Sequence, residues 1–118
     1  MNDPEIIEFN VGGSIFATTN ETLKNLELDK THFFANNANK IKSIKIIYDK
    51  HNRVFLDREP QVFKEVLTHV RALPSLPLLP IYSISDIIYR IRSKYGDGCN
   101  AWDIYLELWA VYINKKNN

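Results

Sequence analysis

Two adjacent glycines constrain this chain more than any other feature. Gly12 and Gly13 stand between two β-prone runs in IEFNVGGSIFATT, residues 7–19. Such a pair permits the positive φ angles of a two-residue hairpin turn. Ile7, Phe9 and Val11 then point to one side of a strand, and Glu8 and Asn10 to the other. The register sets Val11 opposite Ser14, Phe9 opposite Phe16 and Ile7 opposite Thr18. The two phenylalanines become a cross-strand pair on the core face. A slip of one residue would break that pair, so the turn is well specified. The competing reading is a phosphate-binding loop, which needs a lysine and a Ser or Thr after its glycines, leading into a helix. Here Ser14 leads into a second β-prone run, and the first lysine is Lys24. The hairpin is the better account.

The rest of the chain reads as short elements in close succession. Thr18-Thr19-Asn20-Glu21 fits a capping box, with Thr18 as N-cap and Glu21 reaching back, ahead of a short helix through Leu23 and Leu26. A second short helix is expected in DKTHFFANNANK, capped by Asp29 or Thr31, with Phe33 and Phe34 turned inward. A second hairpin is expected from residues 43–48, a polar turn at 49–53 and a strand at 54–56. Asp57-Arg58-Glu59-Pro60 carries an acidic cap and a first-turn proline, the marks of a helix start. Phe63, Val66, Leu67 and Val70 then keep the spacing of one buried helical stripe. The three prolines of LPSLPLLP, residues 73–80, stop that helix. Two further helices follow: one capped by Ser83, carrying Ile84, Ile87, Ile88 and Ile91 and ended by Gly96; the other capped by Asn100, with Trp102, Tyr105, Leu106, Trp109 and Ile113 on one face. One domain, 1–118, is expected, with frayed ends at 1–5 and 114–118.

Composition excludes several classes of function. A net charge of +1 carries no electrostatic bias toward nucleic acid or an anionic membrane. No apolar run is long enough for membrane insertion. Residues 1–15 hold Asp3, Glu5 and Glu8 where a signal peptide would need apolar residues. The single cysteine, Cys99, forms no internal disulfide and no metal cluster, which fits an intracellular, cytoplasmic protein with a free thiol. His32, His51 and His69 are scattered, and His69 reads as a satisfied or surface histidine. The carboxylates form no acid–base pair. No catalytic residue, metal or cofactor is expected.

Two segments carry a resemblance. IIEFNVGGSIFATTNETL, residues 6–23, resembles the opening of the potassium-channel tetramerisation (T1) type of BTB/POZ domain, in Asn10, Val11, Gly12, Gly13, Phe16, Thr18, Thr22 and Leu23. VFLDREPQVFKEVLTHVR, residues 54–71, resembles its second signature, in Phe55, Leu56, Asp57, Arg58, Glu59, Pro60, Phe63, Leu67 and Arg71. The two occur in the family's order and at its expected separation, and cover about the first 71 residues. The final third departs: Ala72-Leu73 and the prolines replace a glycine-containing turn, and the last helix lacks the family's Glu-Ala pair.

The resemblance implies an α/β (α+β) fold, a small mixed sheet flanked by helices, with a divergent helical C-terminal third. It implies self-assembly into a homo-oligomeric ring of four or five copies. It also implies recruitment of a cullin scaffold as a ubiquitin-ligase adaptor; the alternative is a structural oligomeriser, or a decoy capping host BTB assemblies. An adaptor needs a substrate-binding region that 1–118 does not hold, or pairing with other subunits. No pore segment is present, so the channel reading fails. Rings of this kind pack through largely polar faces, which makes Asn10, Asp57, Arg58 and Arg71 interface candidates. For Asp57-Arg58-Glu59 the alternative is helix capping with one local salt bridge. Phe33, Phe34, Trp102 and Trp109 are candidates for a partner surface, against the simpler reading of core packing.

Overall fold

Alternation in the first strand builds the hairpin that the glycines require. In the computed structural model, which describes residues 5–29, 32–75 and 84–117, β1 (Ile6–Val11) and β2 (Ser14–Thr19) are antiparallel. Phe9 lies opposite Phe16, Val11 opposite Ser14 and Ile7 opposite Thr18. Gly12 and Gly13 take φ of +56° and +98°. Gly12 is doubly constrained, because a Cβ there would sit 2.7 Å from the carbonyl oxygen of Arg58. The two phenylalanines meet through a third ring. Phe63 lies 5.2 Å from Phe9 and 5.0 Å from Phe16, both tilted.

The helical cap falls one residue later than expected. Thr18 remains in β2 with its side chain buried, because its pairing with Ile7 turns it to the core. Thr19 is the N-cap, its hydroxyl accepting from the Thr22 amide at 3.1 Å. Helix α1 (Asn20–Lys24) passes into a 3-10 turn at Asn25–Leu28, and Leu23 and Leu26 are fully buried. Helix α2 (Phe33–Ser43) kinks at Asn37. Thr31 lies outside the described residues. Asp29 is no cap for α2: it accepts a hydrogen bond from the Tyr105 hydroxyl at 2.6 Å.

The second hairpin is shorter than its sequence pattern. Ser43 ends α2, and only β3 (Ile47–Tyr48) pairs with β4 (Val54–Leu56). Asp49 closes its turn, its carboxylate accepting from the amides of His51 and Arg53. Parallel pairing of β1 with β4 completes a mixed sheet in the order β2-β1-β4-β3. Helix α3 (Pro60–Ala72) starts on its proline and buries Phe63, Val66, Leu67 and Val70 completely. Helix α4 (Ile84–Tyr95) ends at Gly96, with φ +95° and its amide bonded to the Arg92 carbonyl. Residues 76–83, including the Ser83 cap and most of the proline run, lie outside the described residues.

Helix α5 (Ala101–Lys116) departs most from its expected form. Instead of one apolar stripe it buries every position from Ile104 to Tyr112 except Glu107. It packs against α1, α2, α3 and α4, and so is a central spine rather than a surface helix. Asn100 precedes it in a left-handed conformation, without a side-chain cap. The helix continues through Lys116, where fraying was expected, and Lys115 meets Glu5 at 2.9 Å. The mixed sheet flanked by helices is the expected α/β architecture.

Candidate functional site

One face of the sheet is core, and the other is exposed at its margins with Asn10 and Phe55 half-buried at its centre. Ile7, Phe9, Val11, Val54 and Leu56 point inward and are buried. The pairings place Ile15, Asn10, Phe55 and Ile47 in one row across all four strands on the outward face. Ile15 is 47% exposed and Ile47 57%; Ile6, also outward, is 68% exposed. Isolated exposed apolar residues need no explanation, but a row spanning a sheet does. The row is flanked by polar groups that hold its geometry. Asn10 donates to the Asp49 carboxylate at 3.0 Å and accepts from the Gly13 amide at 2.9 Å. The Arg53 amide, then the Asn10 side chain, hold the Asp49 carboxyl below its usual range. Arg53 bridges Glu8 and Asp49 at 3.7 and 3.9 Å.

The other interface candidates are held in different ways. Arg58 does not form a local salt bridge. Its Nε meets Glu107 of α5 at 3.0 Å, tying the second signature to the spine helix. Burial, opposed by Arg58, pushes the Glu107 carboxyl above its usual range. Asp57 is exposed, just beyond β4. Arg71, at the end of α3, donates to the Ala17 carbonyl of β2 at 3.0 Å. These four residues therefore do not form one cluster; Asn10 alone sits in the outward row.

Two of the four aromatic candidates belong to the interior. Phe33 and Trp109 are 6% and 5% exposed, so neither offers a partner surface in this chain. Phe33 stacks on Trp102 at 5.3 Å and meets the edge of Tyr105 at 4.7 Å, while Phe34 lies 5.1 Å from Trp109. Phe34 and Trp102 are half-buried, each packed against the core. They lock α2 onto α5, and packing energy is what their spacing supplies.

A polar group also lies at the heart of the molecule. Asp29 accepts from Tyr105, whose ring is 6.4 Å from that of His69. His69 is buried, not at the surface, and its Nε2 has no hydrogen-bond partner among the described residues. Burial lowers the His69 pKa, and Asp29 opposes that shift. Burial first, then the Asp29 hydrogen bond, raises the Tyr105 hydroxyl. His69 also lines an open groove of about 470 Å³ between α3 and α4, with Ile87, Ile91, Arg90 and Lys94. Among the described residues no three His, Cys, Asp or Glu converge as a metal site, and no helix is long and apolar enough to cross a membrane.

Sequence reasoning named Asn10 but missed the apolar row around it. The signal was present: Ile6-Ile7, Ile15-Phe16 and Val54-Phe55-Leu56 place apolar residues at consecutive strand positions. Such runs mark strands whose two faces are both covered, not strands with one wet face. Comparison with known families agrees with the architecture. A family profile described as BTB/POZ domain matches residues 7–89, extending past Arg71 into α4. No curated protein matches the chain.

Proposed function

The chain belongs to the BTB/POZ domain family, whose members are protein–protein interaction modules, and on that premise we propose that it assembles with copies of itself into a closed ring. The observation that carries this reading is the outward row Ile15–Asn10–Phe55–Ile47, exposed at Ile15 and Ile47 and half-buried at Asn10 and Phe55. Apolar area of this kind is stabilised when removed from water, at about 25 cal/mol per Å². Asn10 and its Asp49 partner supply the polar specificity that fixes how a neighbour seats, since a buried polar pair tolerates few alternative registers. A head-to-tail contact repeated around an axis closes the ring. Asp57, exposed just beyond the C-terminal end of β4, is available for a neighbour's donor.

A ring displays one partner surface several times over, which turns weak contacts into firm capture. The partner to test is a cullin scaffold of a ubiquitin ligase; a structural oligomeriser or decoy would assemble without binding it. The purified chain is expected to scatter light as four or five copies, and Ile47→Asp to shift it toward monomer. A wild-type chain that stays monomeric at high concentration overturns the ring. Assembly without capture of a cullin N-terminal region at micromolar concentration removes the adaptor role and leaves the oligomeriser.

A further inference from the structure

The free edge of the sheet carries a second inference, independent of the ring. Strand β2 is an edge strand, with β1 as its one partner among the described residues. In a two-residue hairpin the pair that closes the turn exchanges hydrogen bonds, and every second pair after it does likewise. Ser14, Phe16 and Thr18 therefore spend their backbone groups on β1. The bond from the Asn20 amide to the Glu5 carbonyl continues the same alternation. Ile15 and Ala17 are left with their N–H and C=O groups directed away from the sheet, and Thr19 with its N–H, because its carbonyl caps the first turn of α1.

An edge of this kind is a template for another strand, and proteins blunt it with lysines, prolines or bulges. Here the run SIFATT holds no charge and no proline, and the described register of β1 with β2 is unbroken by a bulge. Its outward alanine also gives no steric protection. One device remains. The Arg71 guanidinium donates to the Ala17 carbonyl at 3.0 Å, reaching from the end of α3 across 54 residues of sequence. Ala17 is the midpoint of the three outward-directed residues. Two copies of β2 brought together antiparallel would pair Ala17 with Ala17, and Ile15 with Thr19. The carbonyl that Arg71 occupies is the one at the centre of that pairing.

We propose that Arg71 is an edge guard: by holding the Ala17 carbonyl it keeps β2 from adding to β2 of a second copy of this chain. The charge sits where the second copy would bring its own Arg71, so the guard also acts by like-charge repulsion.

The test is Arg71→Ala, measured against the wild type whatever mass the wild type has. Sedimentation is expected to show a species of twice the wild-type mass, and hydrogen exchange at the Ala17 amide to slow at least tenfold in it. Arg71→Lys, which keeps a donor and the charge, is expected to retain the wild-type mass. Ala17→Pro in the Arg71→Ala background removes the outward N–H at a position where an edge strand tolerates proline, and is expected to restore the wild-type mass. Unchanged mass in folded Arg71→Ala with a fast-exchanging Ala17 amide overturns the proposal. So does doubled mass with no protection at Ala17, which would place the new contact elsewhere. Because each readout is a ratio to wild type, a monomeric wild type would sink the ring and leave this test intact.

Discussion

The first hairpin and the last helix bury their residues by opposite rules. In β1 the odd positions are core and the even ones are not, so one face of a six-residue strand remains available. In α5, from Ala101 to Tyr112, only Trp102, Asp103 and Glu107 escape burial, and Glu107 is committed to Arg58. An element surrounded on all sides has no face left for a partner. The comparison teaches where recognition can lie. On the proposed reading, interaction falls to the sheet and its edge, while the aromatic-rich helix, the more conspicuous candidate by composition, holds the fold together. The two regions meet in α3, whose Phe63 fills the hairpin and whose His69 faces Tyr105 of the spine.

The largest expected effect comes from breaking the hairpin's packing at that meeting point. Phe63→Ala removes the ring that both Phe9 and Phe16 touch, and is expected to cost about 3–5 kcal/mol in chemical denaturation. A loss that small domains of this size would survive only partly should appear as one cooperative transition. If the hairpin melted separately from α5, the two regions would be independent units and the comparison would need redrawing. Next comes Gly12→Ala. It places a Cβ 2.7 Å from a backbone oxygen at a φ of +56°, and is expected to cost about 1–3 kcal/mol. Gly13→Ala has nothing within 4 Å of the added carbon, so at its φ of +98° it carries backbone strain without a close approach.

These hairpin effects were legible in the sequence because local rules decide them. Alternation in residues 6–11, the glycine pair, and the spacing of Phe63, Val66, Leu67 and Val70 each report on the nearest few residues. They yielded the register residue by residue. The misplaced cap shows the limit of that reasoning: Thr18 and Thr19 are both capable, and only the pairing of Thr18 with Ile7 decides between them. Likewise, periodicity in 101–113 marks an apolar stripe but not what surrounds it. Four helices converge on α5, and that convergence is a long-range property no window detects. Arg58–Glu107 and Arg71–Ala17 join residues 49 and 54 positions apart, so sequence could flag Arg58 and Arg71 as notable without revealing their partners. For the candidate site, Asn10 was readable from its motif. The row around it was hidden in consecutive apolar pairs that first read as strand propensity alone.

A smaller effect sharpens the other side of the comparison. Tyr105→Phe removes the hydroxyl that reaches Asp29 at 2.6 Å while keeping the ring. The expected loss is about 1–3 kcal/mol, because Asp29 would be left short of a charge-assisted partner. Asp29→Asn should cost less, since an amide oxygen still accepts from the hydroxyl. If Tyr105→Phe were neutral, the bond from Tyr105 to Asp29 would be dispensable and α5 would hold by packing and its Glu107–Arg58 pair.

The smallest effect is the pH dependence at the seam between the regions. Burial lowers the pKa of His69 in the folded chain, so the unfolded chain binds the proton more readily. Stability from this residue is therefore complete above about pH 6.5, the unfolded value, and declines as pH falls below it toward the folded value. One proton sets a ceiling of about 1.4 kcal/mol per pH unit on the slope. Glu107 works in the opposite sense, because burial raises its carboxyl and the folded chain takes up that proton first. The raw stability curve thus mixes the two. Subtracting the curve of His69→Gln from that of the wild type removes everything common, and the remainder should fall with acid below pH 6.5. A flat difference would mean that His69 titrates alike in both states. In that case Asp29, the charge that favours its protonation, offsets burial in full, and the seam between hairpin and spine adds no pH dependence through this residue.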